Sequence, residues 1–299
     1  MIDDKTQSLI FERAYGYDHN FNFYQQALGE PFFEEDIIIY YDYNNKTLFI
    51  PFFPLNNNFN YIEKRINNIV QNHSPEIIIY WGYINLAHIK ILGYNLLVDR
   101  YFDEYDVDAT IKISDFSLER NKIIKKAIEN IEETIIKIEI KGIKKLKKEH
   151  LIIIKDFFDN HKSVDSFDTH LINSLRKILH LPTIKIVEAR KDSTLVGFAI
   201  LDLTLPNLPI DLFGFYNKNL KGISSILYLK IIEYCKKSGA DYLNLGNTIN
   251  KGLFDYKKKW GCIFSKPIDS NVWESKKGAY KNLLKVWDGE KTEMLKELK

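Results

Sequence analysis

The second half of the chain has the clearest spacing of apolar positions, switching between a period near two and a period near 3.6. Residues 134–140 (TIIKIEI) are β-branched and short, which predicts a strand. Two helical stretches follow at 146–161 and 168–180, the second opened by Asp168 or Thr169 and closed before Pro182. Strands at 184–190 and 194–204 are joined across Lys191, Asp192 and Ser193, a polar turn of hairpin length, and 209–216 (PIDLFGFY) reads as a third. Over 222–238, Ile223, Leu227, Ile231 and Cys235 recur every fourth residue, with Lys230, Glu233, Lys236 and Lys237 on the other side. That is an amphipathic helix ended by Ser238 and Gly239. A strand at 241–246, a short helix at 250–259, strands at 261–267 and 270–275 and a last helix at 277–298 complete the half.

The first half repeats a shortened version of this order. Strands at 36–43 and 46–53 flank the polar turn Asn44-Asn45, and a helix at 59–71, a strand at 76–83, a short helix at 85–91 and strands at 94–101 and 105–113 follow. The repeat is one of element order, not of residues. Between the halves, 115–131 predicts a helix with Ile123, Ile124, Ala127, Ile128 and Ile131 on one face. The expected organisation is therefore a first domain over 1–114, a connecting helix over 115–133 and a second domain over 134–299. The expected fold class is α/β (α+β), each domain a mixed, mostly antiparallel sheet flanked by helices.

Composition narrows this without redirecting it. The 299 residues suit two domains of ordinary size, and 45% hydrophobic with 27% charged residues excludes a disordered chain or a fibre. Lys plus Arg is 42 against 40 for Asp plus Glu, a balance that does not suit holding DNA or anionic lipid by bulk charge. No apolar run approaches the ~18 residues of a membrane span, and the acidic, polar start MIDDKTQSLI is unlike a signal peptide, so a cytoplasmic protein is expected. Cys235 and Cys262 are too few for a disulfide framework and sit in apolar surroundings. His150, His161, His170 and His180 match no metal-ligand spacing, and no metal is expected. Gly-x-Ser-x-Gly, Walker and Gly-x-Gly-x-x-Gly motifs are absent. The Lys-rich stretch 141–148 reads as a solvated turn, and Tyr80, Trp81 and Tyr83 as core, with the floor of an acceptor groove as the alternative.

Three stretches carry a resemblance: SLERNKIIKKAIEN, NKNLKGISSILYLKIIEYCKKSGADYLNLG and, most specifically, INKGLFDYKKKWG. With the element order, they make the second half similar to the GNAT-fold N-acyltransferases. The closer likeness is to their tandem relatives, the FemXAB-like peptidyltransferases, whose signature gl-x-x-(F/Y)-K-x-x-(F/W)-G the last stretch resembles. The resemblance implies two GNAT-like domains in tandem, the first shortened and on the acceptor side, the second holding the donor site.

In such enzymes a helix N-terminus receives the donor's pyrophosphate on free amides. The resemblance places Asn219, Leu220, Lys221, Gly222, Ile223 and Ser224 there, with only the central glycine of the family's loop kept. Lys218 flanks the loop, and Asn247 and Asn250 complete the expected donor-binding set; the alternative is a plain solvated helix start. Asn250, Leu253, Lys257, Gly261 and Cys262 fall on the positions of the GNAT motif Asn-x-x-Ala-x-x-x-Tyr-x-x-x-Gly-Phe, with Lys257 in the tyrosine's place and Tyr256 one residue earlier. A lysine there would present charge to an oxyanion or a substrate phosphate; otherwise Lys257 belongs to an exposed run with Lys258 and Lys259. An amine acceptor needs a general base, for which Asp211 is the first candidate beside Asp202, Glu188 and Asp241.

The expected activity is transfer of an acyl group from acetyl-CoA or another acyl-CoA to a primary amine of a small molecule or cell-envelope precursor, by direct attack in a cleft between the domains. An aminoacyl-tRNA-dependent transferase and a non-catalytic binding module stay open as alternatives.

Overall fold

The computed structural model of the chain describes residues 21–34, 37–51, 58–101, 105, 107–117, 125, 129, 136–160, 166–217, 219–248, 250–265 and 267–298. They form two compact units: residues 1–107 with 266–286, and residues 108–265 with 287–299.

The first unit opens on α1 (Phe21–Leu28) and β1 (Glu30–Glu34), followed by β2 (Ile37–Asp42), β3 (Thr47–Pro51), α2 (Phe59–His73), β4 (Ile77–Gly82) and β5 (Asn95–Tyr101). Helix α2 begins where Asn58 Oδ1 accepts from the Tyr61 amide at 3.2 Å, and it stops at Ser74, whose φ of +48° no helix continues through. Its Ile62, Ile66, Ile69 and Val70 pack against Ile39, Leu48, Ile50 and Ile78 of the sheet. Strand β13 (Asp269–Glu274), late in the chain, lies between β4 and β5 and pairs antiparallel with both, giving the order β1-β2-β3-β4-β13-β5. Its Trp273 is buried in this core, and its Glu274 carboxylate accepts from the amides of Gly278 and Tyr280 at 3.0 and 3.2 Å, at the start of the last helix.

The second unit holds β6 (Val107–Lys112), β7 (Ile136–Lys141), α3 (Lys148–Asn160), α4 (Ser166–Ile178), β8 (Ile184–Lys191), β9 (Thr194–Asp202), β10 (Ile210–Tyr216), α5 (Ile223–Lys237), β11 (Tyr242–Thr248), α6 (Lys251–Lys259), β12 (Ile263–Phe264) and the end of α7 (Ala279–Lys296). Its sheet runs β12-β6-β11-β10-β9-β8-β7. Strand β9 is buried from Leu195 to Asp202, as a strand covered on both faces must be. Helix α5 lays Ile223, Leu227, Ile231 and Cys235 on this sheet. Gly197 permits that approach, since a Cβ there would come within 2.6 Å of Ile223 Cγ2.

The α/β class and the tandem, mixed-sheet architecture are as the sequence predicts. Four details differ. The division at 114 and 134 is crossed in both directions, because β6 joins the second sheet and β13 the first; alternation fixes which face a strand buries, not which sheet it pairs in. The expected helix at 85–91 is a pair of turns, held by Asn85 Oδ1 on the Ala87 amide at 2.7 Å and Asn271 Oδ1 on the Leu86 amide at 3.0 Å. The strand expected over 261–267 contracts to two residues, and α1 and β1 were not anticipated. Most of the connecting helix at 115–133 lies outside the described residues; Lys125 and Glu129 within it are helical and 4.0 Å apart.

Candidate functional site

The second unit gathers the sequence-predicted residues at the ends of β10 and β11. After β10 the chain turns tightly: Asn217 Oδ1 accepts from the Asn219 amide at 3.0 Å and its carbonyl from the Leu220 amide at 3.1 Å. Gly222 then caps α5 in the left-handed region, φ +92°, where glycine is strongly favoured, and no side chain caps the helix. The N-cap residue thus offers no side-chain acceptor to the first-turn amides of α5, which lie at the positive end of the helix dipole. Asn219 and Lys221 are exposed, Leu220 and Ser224 half-buried and Ile223 buried. Lys218 lies outside the described residues.

Tyr256, on α6, reaches this helix start. Its hydroxyl lies 3.0 Å from Ser225 Oγ and donates to Ser224 Oγ at 3.2 Å. Tyr216 ends β10, and burial raises the pKa of its hydroxyl against the opposing effect of Ser224. Behind them Tyr228 packs against Tyr256 and Trp260, with ring centroids 5.8 and 5.6 Å away.

Asp211 sits where β10 leaves its parallel neighbour. The two strands share a single register point, Ile210 with Asn244, and β10 carries a bulge between Asp211 and Phe213 on its β9 side. The Asp211 side chain is 4% exposed, and its Oδ1 is buried with no hydrogen-bond partner among the described residues. Burial pushes its pKa up to about 7 against the attraction of Lys257. A carboxyl that exchanges a proton near neutrality is suited to general-base work.

Lys257 is not part of a solvated run. It is 2% exposed, whereas Lys258 and Lys259 are exposed. Its Nζ donates to three successive carbonyls, Leu245 at 2.7 Å, Gly246 at 2.8 Å and Asn247 at 2.8 Å. An ammonium has three protons, and all three are committed, so none is left for the oxyanion or phosphate that the sequence suggested. Burial lowers its pKa to about 8, against the pull of Cys262, Asp211 and Asp108.

Two further expectations change. Asn250 is the N-cap of α6, its Oδ1 accepting from the Leu253 amide at 2.9 Å, which accounts for it without a donor. Asn247 contributes its carbonyl to Lys257 while its side chain is exposed. Residues the sequence reading passed over are Tyr216, Ser225, Tyr228 and Gly246; the doublet Ser224-Ser225 and the glycine inside an apolar strand were the available signals. Burial pushes the Cys235 and Cys262 thiols up to about 12, so neither supplies a thiolate at neutral pH.

Of the remaining base candidates, Asp202 accepts from the Thr204 amide and hydroxyl, and Glu188 belongs to a charge network. The Glu188 carboxylate accepts from His150 Nε2 at 3.1 Å, Lys141 at 2.9 Å and Arg190 at 2.8 Å. The ligand atoms of Glu149, His150 and Glu188 lie within 4.8 Å of one another. Arg190 and Lys141 already supply positive charge there, which leaves no call for a metal cation. In the first unit Tyr80 is fully buried in the core, whereas Trp81, packed edge-on to Tyr24 and Phe49, and Tyr83 are half-buried.

No protein-family model matches the chain, and no curated protein matches it significantly. Solved structures do. L-PGS from Bacillus licheniformis is 12% identical, with 96% of each chain covered and a TM-score of 0.55. A C-terminal domain assigned to a lysylphosphatidylglycerol synthetase from Agrobacterium fabrum is 13% identical over 94% of each chain, TM-score 0.54. FemX is 9% identical over 90% of this chain and 96% of its own, TM-score 0.50. At such identities the likeness is one of fold, and it is the FemXAB-like tandem fold that the sequence resembles.

Proposed function

We propose that the chain is an N-acyltransferase that moves an acyl group from an acyl-CoA to a primary amine by direct attack. The observation that carries this reading is the Asp211 carboxyl, buried and with no hydrogen-bond partner for its Oδ1 among the described residues, at the point where β10 and β11 part and in the same unit as a helix N-terminus that its N-cap glycine leaves without a side-chain cap. The amides of the first turn of α5 would hold the donor's pyrophosphate. Asp211 would accept a proton from the incoming ammonium, and the freed amine nitrogen would attack the thioester carbon to give a tetrahedral intermediate. Its collapse breaks the carbon–sulfur bond; the Tyr256 hydroxyl, hydrogen-bonded at the start of α5, would give its proton to the leaving thiolate and would be reprotonated by the second proton shed from nitrogen, relayed through water.

A second reading has an observation in its favour. The resemblance of INKGLFDYKKKWG to the FemXAB-like signature implies an aminoacyl-tRNA donor, and the loop before α5 keeps only one position of the usual acyl-CoA pattern. Thermal shift separates the two, because a ligand that binds only the native state stabilises it by RT ln(1 + [L]/Kd). Saturating acetyl-CoA or a longer acyl-CoA should raise Tm by several degrees. A shift with charged tRNA alone would move the assignment to the second reading, and a shift with neither would favour a binding module.

A further inference from the structure

We infer that Lys257 is a positioning residue whose ammonium, caged by the carbonyls of Leu245, Gly246 and Asn247, holds β11 in the bent course that parts it from β10 beside Asp211. In an extended strand successive carbonyls point to opposite sides, so three in a row cannot meet one atom. Here they do, at 2.7, 2.8 and 2.8 Å, because the strand is turned at Gly246, φ +70°. The glycine is required by conformation rather than by space: a Cβ there would meet only the Asp211 carbonyl oxygen, at an ordinary 3.5 Å. The Gly246 amide is taken by Asn244 Oδ1 at 2.6 Å, so the bend satisfies its donor locally as well.

Donor and acceptor counts match. A lysine ammonium carries three protons, the cage has three oxygens, and the side chain lies buried on α6, whose N-cap Asn250 fixes where the helix begins. Parallel pairing with β10 ends at Ile210 and Asn244, and the next three carbonyls of β11 are those given to Lys257. Without the ammonium the buried Leu245 carbonyl and the part-buried carbonyls of Gly246 and Asn247 would lose the donor they share, and the bend would lose what maintains it. The importance of the opening for chemistry rests on the acyltransferase reading; the cage itself does not.

The test is chemical replacement of the deleted side chain, read by backbone hydrogen exchange in the full chain. Lys257→Ala removes a propylammonium-sized fragment. Amides of 245–248 should then exchange at least about tenfold faster, while those of β8 and β9 keep their protection. Adding 1-propylammonium, which brings three N–H donors, should restore protection, and tetramethylammonium, which brings the charge alone, should not. Lys257→Met fills the space without a donor and should show the same fast exchange with no rescue; it carries the test if the alanine variant does not fold. Unchanged exchange in either variant, failure of 1-propylammonium to rescue, or equal rescue by both cations would overturn the cage. Because none of these readouts is an activity, a failed cage and a failed acyltransferase assignment are told apart.

Discussion

Asp211 is a carboxyl that folding leaves worse solvated than it was in the unfolded chain, and two consequences follow from the direction of its shift. Its pKa in the folded chain, about 7, lies above the ordinary 3.8, so between these values the native state holds a proton that the unfolded state has lost. Stability attributable to Asp211 is therefore present at low pH and lost as pH rises toward 7. Asp211→Asn should raise Tm by several degrees at pH 8 and change it little at pH 4; equal shifts at both would mean the carboxyl is not perturbed. In an amine-acylation assay, kcat/KM of the wild type should climb with pH through an apparent pKa near 7. The asparagine variant should lose about 10² or more of that activity, the low end of what a positioned base contributes. Gly222→Val would put a β-branched residue at φ +92° in front of the helix amides, and should weaken donor binding at least about tenfold, which calorimetry can measure.

Among the elements, α3 and β8 are tied by charge. His150 Nδ1 accepts from the Lys147 amide at 2.9 Å, which leaves Nε2 to carry the proton shared with Glu188. Burial raises the pKa of Glu188, but hydrogen bonds from Lys141 and Arg190 outweigh it and hold the carboxyl below its ordinary value. Glu149 is held down by its Arg190 pair, and burial lowers His150. A depressed carboxylate stabilises above its unfolded pKa and stops doing so as pH falls through the folded one; a depressed histidine opposes folding once the unfolded imidazole protonates. All three make acid destabilising. Glu188→Ala should cost about 3–5 kcal/mol at pH 7, the scale of breaking a buried pair, and urea unfolding at pH 7 and at about pH 3, below the ordinary carboxylate range, should show that cost shrinking with acid. This network was not legible beforehand, since its members stand up to 51 positions apart, from Glu139 to Arg190, and nothing in local spacing joins them. What was legible is local: the four-residue apolar period of α5, the polar hairpin turn after β8, and the Asn and Gly punctuation around α5 and α6. The role of Lys257 was misread for the same reason, because its partners are main-chain atoms whose positions no side-chain pattern records.

At the scale of the whole molecule, the two sheets do not follow the order of the chain. Trp273 belongs to a strand that comes after the second unit's sheet yet sits buried in the first unit's core. Trp273→Ala should therefore cost about 3–5 kcal/mol, and the amides of β4 and β5 should lose protection before those of β9; the reverse order would contradict the observed pairing. No helix among the described residues is long and apolar enough to cross a membrane. The groups proposed to act on donor and proton, from Asp211 through the α5 start to Tyr256, all lie within residues 108–265, so donor binding is the property to examine. Calorimetric titration of the wild type and Gly222→Val with acetyl-CoA tests this most directly. Saturable binding by the wild type, weakened at least about tenfold in a variant that strain at φ +92° makes less stable but that is still folded at the assay temperature, is the predicted result; equal binding by both, or none by the wild type with any acyl-CoA, would contradict it.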